Sequence, residues 1–241
     1  MDAVTLRDRV IQKALELGVD DAGVCAASDL LAGPTHRMFP LPQGIGDHHG
    51  ILVIALSHPP EEPTLDYFVR KRGALLGNSE GNRRLQDVSG RLGRWLEEEG
   101  IGSRDLHYYV ERGGVFLKGA AVLAGLGVIG MNNLLIHPGY GPRIRFRALL
   151  VDAPLAPSQA LDFSPCSECA RPCLSVCPQK ALNVEGYCQD RCQQRLDREI
   201  AQAPVLPGAD GKPPVKEVRF CRRCEFACSY IGSRETSAPT G

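Results

Sequence analysis

The chain has 241 residues, of which 43% are hydrophobic, and its 28 basic residues balance 28 acidic ones. This length suits one large domain or two modest ones with a buried core. A net charge of zero excludes a general attraction to nucleic acid or anionic lipid, although a local charged patch remains compatible with it.

The N-terminal segment, residues 1–18, carries charges throughout and lacks the positive-then-apolar layout of a secretion signal. No uninterrupted apolar run reaches the length needed to span a bilayer. We therefore expect a cytoplasmic protein without a membrane partner, in a compartment that keeps thiols reduced.

The first part of the chain predicts mixed helices and strands. Apolar residues at helical spacing predict helices over 5–17 and 85–96, the first with Thr5 and Asp8 as a capping pair. Further elements are expected in this part: strands at 22–26, 50–58 and 105–111, and a short helix at 115–125.

Two strands, 132–138 and 143–152, are expected to pair in an antiparallel manner. In the second, Arg143, Arg145 and Arg147 alternate with apolar residues, which predicts an exposed basic face and a buried apolar face.

Gly125, Gly127 and Gly130 have the spacing of a dinucleotide fingerprint, and Asp152 follows at a suitable distance. That fingerprint requires a helix directly after the glycines, but Pro138 and the glycines beside it leave no room for one. We therefore interpret the glycines as places where the backbone approaches a packed neighbour or a flat cofactor.

The cysteines are unevenly distributed: Cys25 stands alone, and the other nine lie between Cys166 and Cys228. A Pro- and Ala-rich segment, 152–165, predicts a boundary between an α/β sandwich-like domain and this cysteine-rich part. The second part has too little apolar material to fold alone, so we expect inorganic cross-links to stabilise it.

Three interpretations of these cysteines compete. Disulfides need an oxidising compartment, and nine is an odd number. A zinc ribbon would use two C-x2-C pairs and leave five cysteines without a role. Iron–sulfur clusters explain eight of the nine, and a proline directly after the fourth cysteine is typical of two-cluster ferredoxins.

The first run, Cys166 to Cys177, contains one residue more between its second and third cysteines than the bacterial ferredoxin pattern. Pro172 suits the first turn of a helix, so Cys169 and Cys173 are still expected to face one site. Since the last cysteine of each run binds the other cluster in such ferredoxins, two ligand sets are predicted: Cys166, Cys169, Cys173 and Cys228; and Cys177, Cys221 and Cys224 with either Cys188 or Cys192.

The segment AGLGVIGMNNLLIHPGYGPRIRFRALLVDAPL, the cysteine run with CPQKAL, and the opening ALELGVDDAGVCAA together resemble the epoxyqueuosine reductase family, which is related to reductive dehalogenases. The resemblance implies an α+β architecture. Residues 1–155 would form a nitroreductase-like, corrinoid-binding α/β sandwich, and 156–241 a ferredoxin-like domain with two [4Fe–4S] clusters.

The resemblance also implies that cobalamin receives electrons from the clusters and removes the epoxide oxygen from epoxyqueuosine in tRNA. An external low-potential donor of the ferredoxin or flavodoxin type would supply the electrons to the clusters. It implies Cys192 rather than Cys188 as the eighth ligand, and a corrinoid lining formed by Gly125, Gly127, Gly130, Met131, Asn132 and Asn133.

The stretch DHHGIL does not match the D-x-H-x-x-G motif of proteins that bind corrinoid through a histidine, because the closing glycine falls on Leu52. The sequence favours ordinary loop roles for His48 and His49. In two places the chain departs from the family: Glu111 stands where the proposed proton donor is an aspartate, and Met131 where a lysine is common.

These departures favour a relative with a small-molecule or unknown substrate over one acting on tRNA. The sequence thus predicts a cobalamin-dependent iron–sulfur reductase with Glu111 as candidate proton donor. The alternative is a ferredoxin-type electron-transfer protein, not an enzyme, whose larger domain binds a partner or a tetrapyrrole.

Overall fold

The computed structural model describes residues 1–32, 44–46, 48–66, 68–71, 74–78, 80–207 and 213–232, without the side chains of 66, 68–71 and 74–78. The chain forms two compact units, each discontinuous in sequence. Unit 1 comprises Met1–Ser57, Leu85–Val128 and Ile144–Phe163, and unit 2 comprises His58–Arg84, Ile129–Arg143 and Ser164–Gly241.

Both units mix helices and strands, which agrees with the expected α+β class. The assignment of 1–155 and 156–241 to two functional domains stays a prediction. In chain order the helices and strands are α1 (Ala3–Glu16), β1 (Asp21–Ala26), α2 (Ala27–Ala32), β2 (Gly50–Ser57), β3 (Phe68–Lys71), β4 (Ala74–Asn78), α3 (Glu80–Glu98), β5 (Ser103–Asp105), α4 (Leu117–Leu123), β6 (Val128–Ile129), β7 (Leu135–Ile136), β8 (Ile144–Val151), α5 (Pro172–Ser175), β9 (Leu182–Asn183), β10 (Gly186–Tyr187), α6 (Gln189–Gln202), β11 (Val205–Leu206), β12 (Val215–Val218) and α7 (Arg223–Phe226).

Unit 1 is organised by an antiparallel sheet with the strand order β1-β2-β8-β5. Seven of the eight residues of β2 are buried, because this strand lies inside the sheet and packs on both faces. Apolar residues of α1 and α3, including Val10 and Leu92, share one buried core with Leu52 and Leu149 of the sheet. The helices predicted over 5–17, 85–96 and 115–125 are therefore confirmed, with shifted ends.

The start of α1 differs from the prediction. Asp2 is the N-cap, and its carboxylate accepts hydrogen bonds from the backbone N–H groups of Val4 (3.1 Å) and Thr5 (3.0 Å). The bond from the Thr5 N–H, followed by that from the Thr5 hydroxyl, lowers the pKa of Asp2, and the Val4 N–H contributes less. The predicted capping pair of Thr5 and Asp8 was wrong because the helix begins two residues earlier, at Ala3.

The alternation of β8 was also interpreted incorrectly. Ile144, Phe146 and Ala148 are buried as predicted, but Arg147 is buried as well, with 6% of its surface exposed, and Arg145 is partly buried. β8 lies inside the sheet between β2 and β5, and seven of its eight residues are buried, so both of its faces are covered. Its guanidinium groups therefore do not form one exposed basic face.

Two predicted strands took other forms. The segment 105–111 is a strand only at Asp105 and continues into a short 3-10 helix, Val110–Arg112. The segment 132–138 contributes only β7, and β8 pairs with β2 and β5 instead of with it. No helix starts between Gly125 and Arg143, a stretch that is fully described, which agrees with the argument against a dinucleotide loop.

Unit 2 contains an antiparallel sheet in the order β11-β12-β3-β4 and a small β9–β10 ladder. Most of its cysteines lie on short helices and turns, whereas Cys192 lies in α6, the longest helix that lies wholly within this unit among the described residues. Of the helices that the structure describes, none is both long and apolar enough to cross a membrane.

Candidate functional site

The extra residue of the first cysteine run is absorbed by one unusual backbone conformation. Arg171 adopts left-handed φ and ψ values of 55° and 47° immediately before α5. Pro172 then occupies the first helical position, as predicted, and Cys173 follows within the helix. The tight turn at Arg171 returns the chain so that Cys169 and Cys173 line the same cavity.

Four cysteines meet in unit 2 around this small cavity: Cys166, Cys169, Cys173 and Cys228. Burial and the nearby charges of Cys228, Cys166 and Cys169 raise the pKa of the Cys173 thiol. Burial, with the charges of Cys166 and Cys169, likewise raises the pKa of Cys228. These raised pKa values keep the free thiols protonated, whereas a bound cation or metal cluster would favour their thiolate forms.

A second set of thiols gathers elsewhere in unit 2. Burial raises the pKa of Cys224 to about 12, and the charges of Cys221, Cys192, Glu225 and Cys177 add to the effect. The second set consists of Cys177, Cys192, Cys221 and Cys224. Both sets of four match those predicted from the sequence with Cys192 as the eighth member. The role of these cysteines as ligands stays a prediction.

Tyr187 lies at the second set and was not anticipated. Its pKa is raised, first by burial and then by a hydrogen bond with the Cys192 thiol. Cys188 is the N-cap of α6, one helical turn before Cys192.

The spacing of the sulfur atoms distinguishes between a single ion and a cluster. Four thiolates around one zinc ion lie about 3.8 Å apart, given a Zn–S bond of about 2.3 Å. Among the described residues, which include all nine of these cysteines, no three sulfurs lie within 4.8 Å of one another. No three of these sulfurs therefore have the spacing expected around one zinc ion in the described part of the chain.

Hydrogen-bond donors point at two of the sulfurs. Cys169 Sγ lies 3.0 Å from Ser229 Oγ and accepts a hydrogen bond from the Arg171 N–H at 3.3 Å. These two contacts, that of Ser229 first, lower the pKa of Cys169. Cys177 Sγ accepts from the Ala181 N–H at 3.3 Å. Ser229 could have been suspected only from its position directly after Cys228.

Asn132 lines the cavity of the first set together with Met131. The side chain is buried, and its Oδ1 accepts a hydrogen bond from the Leu134 N–H at 3.1 Å. Its Nδ2 group is buried without a hydrogen-bond partner among the described residues. A buried donor in that position is costly unless a bound group accepts its hydrogen bond.

The glycines of the same stretch have packing roles of their own. Gly125 has φ of 74°, and a Cβ atom there would lie 2.3 Å from the Gln159 carbonyl oxygen within unit 1. In unit 2, a Cβ atom on Gly130 would lie 2.8 Å from Ile136 Cγ1. Asn133 has a left-handed φ of 57°. Close packing thus explains Gly125 and Gly130, and a corrinoid lining by these glycines stays a prediction.

Glu111 lies in unit 1 on the exposed 3-10 helix Val110–Arg112, which ends at Gly113 with φ of 85°. The neighbouring phenol of Tyr109 has a raised pKa, mainly because of burial, with a smaller contribution from Glu111. The Arg112 guanidinium lies 5.4 Å from the centre of the Tyr109 ring. A carboxylate on such an exposed turn is accessible to a substrate.

No family model matches the chain. Among curated proteins, the epoxyqueuosine reductase of Lactococcus garvieae is 29% identical over 194 residues, covering 76% of this chain and 52% of that protein. The Pseudomonas aeruginosa epoxyqueuosine reductase is 30% identical over 162 residues, covering 66% and 41%. A tetrachloroethene reductive dehalogenase of Dehalobacter restrictus is 36% identical over 86 residues, covering 35% and 15%.

Solved structures give the same result for the fold. A selenomethionine-labelled epoxyqueuosine reductase superposes with a TM-score of 0.64 at 17% identity, covering 98% of this chain and 71% of that one. A catabolic reductive dehalogenase reaches 0.63 at 18% identity, covering 83% and 30%. The resemblance to epoxyqueuosine reductases and reductive dehalogenases is therefore confirmed. The chain spans about half the length, or less, of the curated relatives it matches.

Proposed function

We propose that the protein is a reductase in which two [4Fe–4S] clusters pass electrons to a bound cobalamin, which reduces a small or tRNA-borne substrate. The observation that carries the proposal is the gathering of eight cysteines into two sets of four. The curated relatives are reductases of two kinds, which supports the same reaction class. On this proposal, 1–155 form the nitroreductase-like domain and 156–241 the ferredoxin-like domain.

The residues around the thiols suit the proposed clusters. When bound, such clusters store and transfer single electrons at low potential. The hydroxyl of Ser229 and the N–H groups of Arg171 and Ala181 contact cysteine sulfurs, where they stabilise negative charge. The unpartnered Nδ2 of Asn132 offers one more donor at the first set. Eight thiolates with these donors fit two clusters.

Support for cobalamin is narrower. One structural neighbour is a reductive dehalogenase described in terms of B12-dependent dehalogenation. Cobalamin, when bound, supplies low-potential cobalt chemistry. In this chain the proposed lining is Gly125, Gly127, Gly130, Met131, Asn132 and Asn133. Of these residues, Met131 and Asn132 also line the cavity of the first thiol set.

Glu111 is the proposed proton source. Its carboxyl is exposed on a short turn, so it can reach a substrate and exchange protons with solvent. A related epoxyqueuosine reductase structure is described with the loop of its catalytic aspartate swung out of the active site. Glutamate is one methylene longer than aspartate. We therefore expect Glu111→Asp to preserve turnover better than Glu111→Gln, which cannot donate a carboxyl proton.

A small molecule is favoured as substrate. One structural neighbour contains an epoxyqueuosine-modified tRNA stem loop, so tRNA remains to be tested directly. Met131 offers no positive charge to a phosphate, and we expect weak or no turnover of epoxyqueuosine in tRNA. The departures at Met131 and Glu111 also favour the second candidate, an electron-transfer protein whose larger domain binds a partner or a tetrapyrrole.

Anaerobic purification with added cobalamin separates the candidates. A reductase should contain about eight iron and eight acid-labile sulfide per chain, retain cobalamin, and show a corrinoid spectrum that changes when the clusters are reduced. A brown protein that retains no corrinoid supports the electron-transfer candidate. A colourless protein that contains zinc, or sulfide for only one cluster, contradicts the two-cluster proposal in both forms.

A further inference from the structure

Strand pairing brings two histidines and an aspartate together in unit 1, away from the cysteines in the sequence. His48 and His49 directly precede β2, and Asp152 directly follows β8. Gly50 is paired with Val151, and its N–H donates a hydrogen bond to the Ala153 carbonyl at 3.2 Å. Because the strands are antiparallel, the start of one meets the end of the other.

Both imidazoles approach the same carboxylate oxygen. Asp152 Oδ1 lies 3.6 Å from His48 Nε2 and 3.5 Å from His49 Nε2. One candidate ligand atom from each residue lies within 4.8 Å of the other two. These separations are long for hydrogen bonds. They agree with the edge of a tetrahedron around an ion with bonds of about 2.1 Å, which is about 3.4 Å.

The backbone holds the buried imidazole, His49, in a suitable orientation. Its Nδ1 lies 3.0 Å from the Gly46 nitrogen and 3.2 Å from the Gly46 carbonyl oxygen. When Nδ1 is unprotonated it accepts a hydrogen bond from the Gly46 N–H, and Nε2 carries the ring proton. In the other tautomer, which metal binding requires, Nδ1 donates to the Gly46 carbonyl and Nε2 keeps its lone pair toward Asp152. Histidines that bind metals are commonly fixed by this kind of contact with a carbonyl group.

Glycines leave room on two sides of the group. A Cβ atom on Gly46 would lie 3.1 Å from His48 Nδ1, and one on Gly102 would lie 3.2 Å from Asp152 Cβ. His49, Asp152 and Gly102 line an open depression together with Ser103 and Arg104. The depression gives solvent or a small anion access to the carboxylate.

We propose that His48, His49 and Asp152 bind a divalent transition-metal ion, with zinc as the probe, and leave one coordination position open. Two imidazole nitrogens and one carboxylate oxygen are ligands that zinc accepts, and three protein ligands plus water form a common open zinc site. His48 and Asp152 are exposed, so the ion can enter from solvent. The sequence favoured ordinary loop roles for the two histidines because DHHGIL does not match the D-x-H-x-x-G motif, and Asp152, which lies about 100 residues away, was not connected with them.

The test uses the anaerobic protein with its clusters in place, so that the cysteines are occupied. Equilibrium dialysis against zinc chloride, followed by zinc and iron analysis, should show one zinc ion per chain with unchanged iron. His49→Gln and Asp152→Asn should each weaken zinc binding at least tenfold. His107→Gln, which changes an exposed histidine of the same unit, should bind zinc like the parent protein.

Asp152 is exposed, so Asp152→Asn tests the site without disturbing the core, even if His49→Gln fails to fold. The proposal is overturned if no zinc is retained, if Asp152→Asn binds zinc as tightly as the parent, or if zinc uptake is matched by loss of iron. The proposed reductase function rests on the iron and sulfide content measured before dialysis, so failure of the zinc site leaves that function to be judged separately.

Discussion

The hydroxyl oxygen of Ser229 lies 3.0 Å from the sulfur of Cys169, a member of the first thiol set. A hydrogen bond to a cluster sulfur stabilises the more negative, reduced state and so raises the reduction potential. We expect Ser229→Ala to lower the potential of one cluster by about 20 to 60 mV, since a hydrogen bond contributes about 0.5–1.5 kcal/mol and 59 mV equals 1.4 kcal/mol for one electron. Redox titration followed by EPR spectroscopy measures this shift.

Ser167→Ala is the matched control for this change. The Ser167 hydroxyl donates to the Ser164 backbone carbonyl at 2.9 Å instead of contacting a sulfur. Its removal should leave both potentials unchanged, and both variants should retain their iron. Equal shifts in the two variants would show that Ser229 does not act through Cys169.

The assignment of the eighth ligand gives a second prediction. Cys192 interacts with Cys224 and Tyr187, whereas Cys188 lies one helical turn earlier, at the N-cap of α6. Cys192→Ala should therefore lose the second cluster, about four iron atoms of eight. Cys188→Ala should retain the full content. Iron and sulfide analysis of anaerobically purified variants checks both, and the reverse pattern would transfer the ligand role to Cys188.

The same thiols explain how far sequence reasoning reached. Seven cysteines could be divided between two sets from their spacing, because the repeated pattern implies that the last cysteine of each run crosses over to the other cluster. The eighth ligand stayed open, because Cys188 and Cys192 lie outside the two repeated runs. The donors Ser229 and Tyr187 were missed because nothing in their local sequence shows which sulfur they approach. The contact between Ser229 and Cys169, for example, joins residues that are 60 positions apart in the sequence, so it depends on the tertiary structure.

Strand burial shows a comparable limit. The pattern of β2 predicted a buried strand correctly because nearly every residue is apolar. In β8, alternation predicted that Arg147 would be exposed, but it is buried because both faces of this strand are covered. A period of two identifies the strand and its two faces, yet it does not show whether the second face is exposed to solvent.

Thiol alkylation gives a third prediction. Burial, followed by the charge of Asp29, raises the pKa of Cys25 to about 12. Only the thiolate reacts, so at pH 8 this cysteine should react about a thousandfold more slowly than a thiol with a pKa of about 9. The rate should rise about tenfold per pH unit between pH 8 and 11. Peptide mapping after anaerobic iodoacetamide treatment measures it.

Cys188 is the internal reference in that experiment, because it is partly exposed and lies outside the two proposed ligand sets. With both clusters bound, it should be the cysteine that is modified most readily. Rapid modification of Cys25 at pH 8 would contradict the buried position in β1. Protection of Cys188, with modification of Cys192 in its place, would contradict the ligand assignment.

The last prediction concerns the stability of unit 1. Asp105 Oδ1 accepts hydrogen bonds from the Ser89 hydroxyl at 2.6 Å and from Arg147 Nε at 3.4 Å, and a second Arg147 nitrogen contacts Asp105 Oδ2. Asp105→Asn removes the negative charge that faces the buried Arg147 guanidinium. Since the aspartate side chain is 44% exposed, water compensates in part, and we expect a loss of about 1–2 kcal/mol in the free energy of unfolding.

Asp87→Asn is the control, because its pair with Arg91 is exposed and 3.7 Å long. This change should alter the free energy of unfolding by less than about 0.5 kcal/mol. Urea unfolding under anaerobic conditions compares the two variants. Equal unfolding midpoints would show that the charge of Asp105 opposite Arg147 does not contribute to stability.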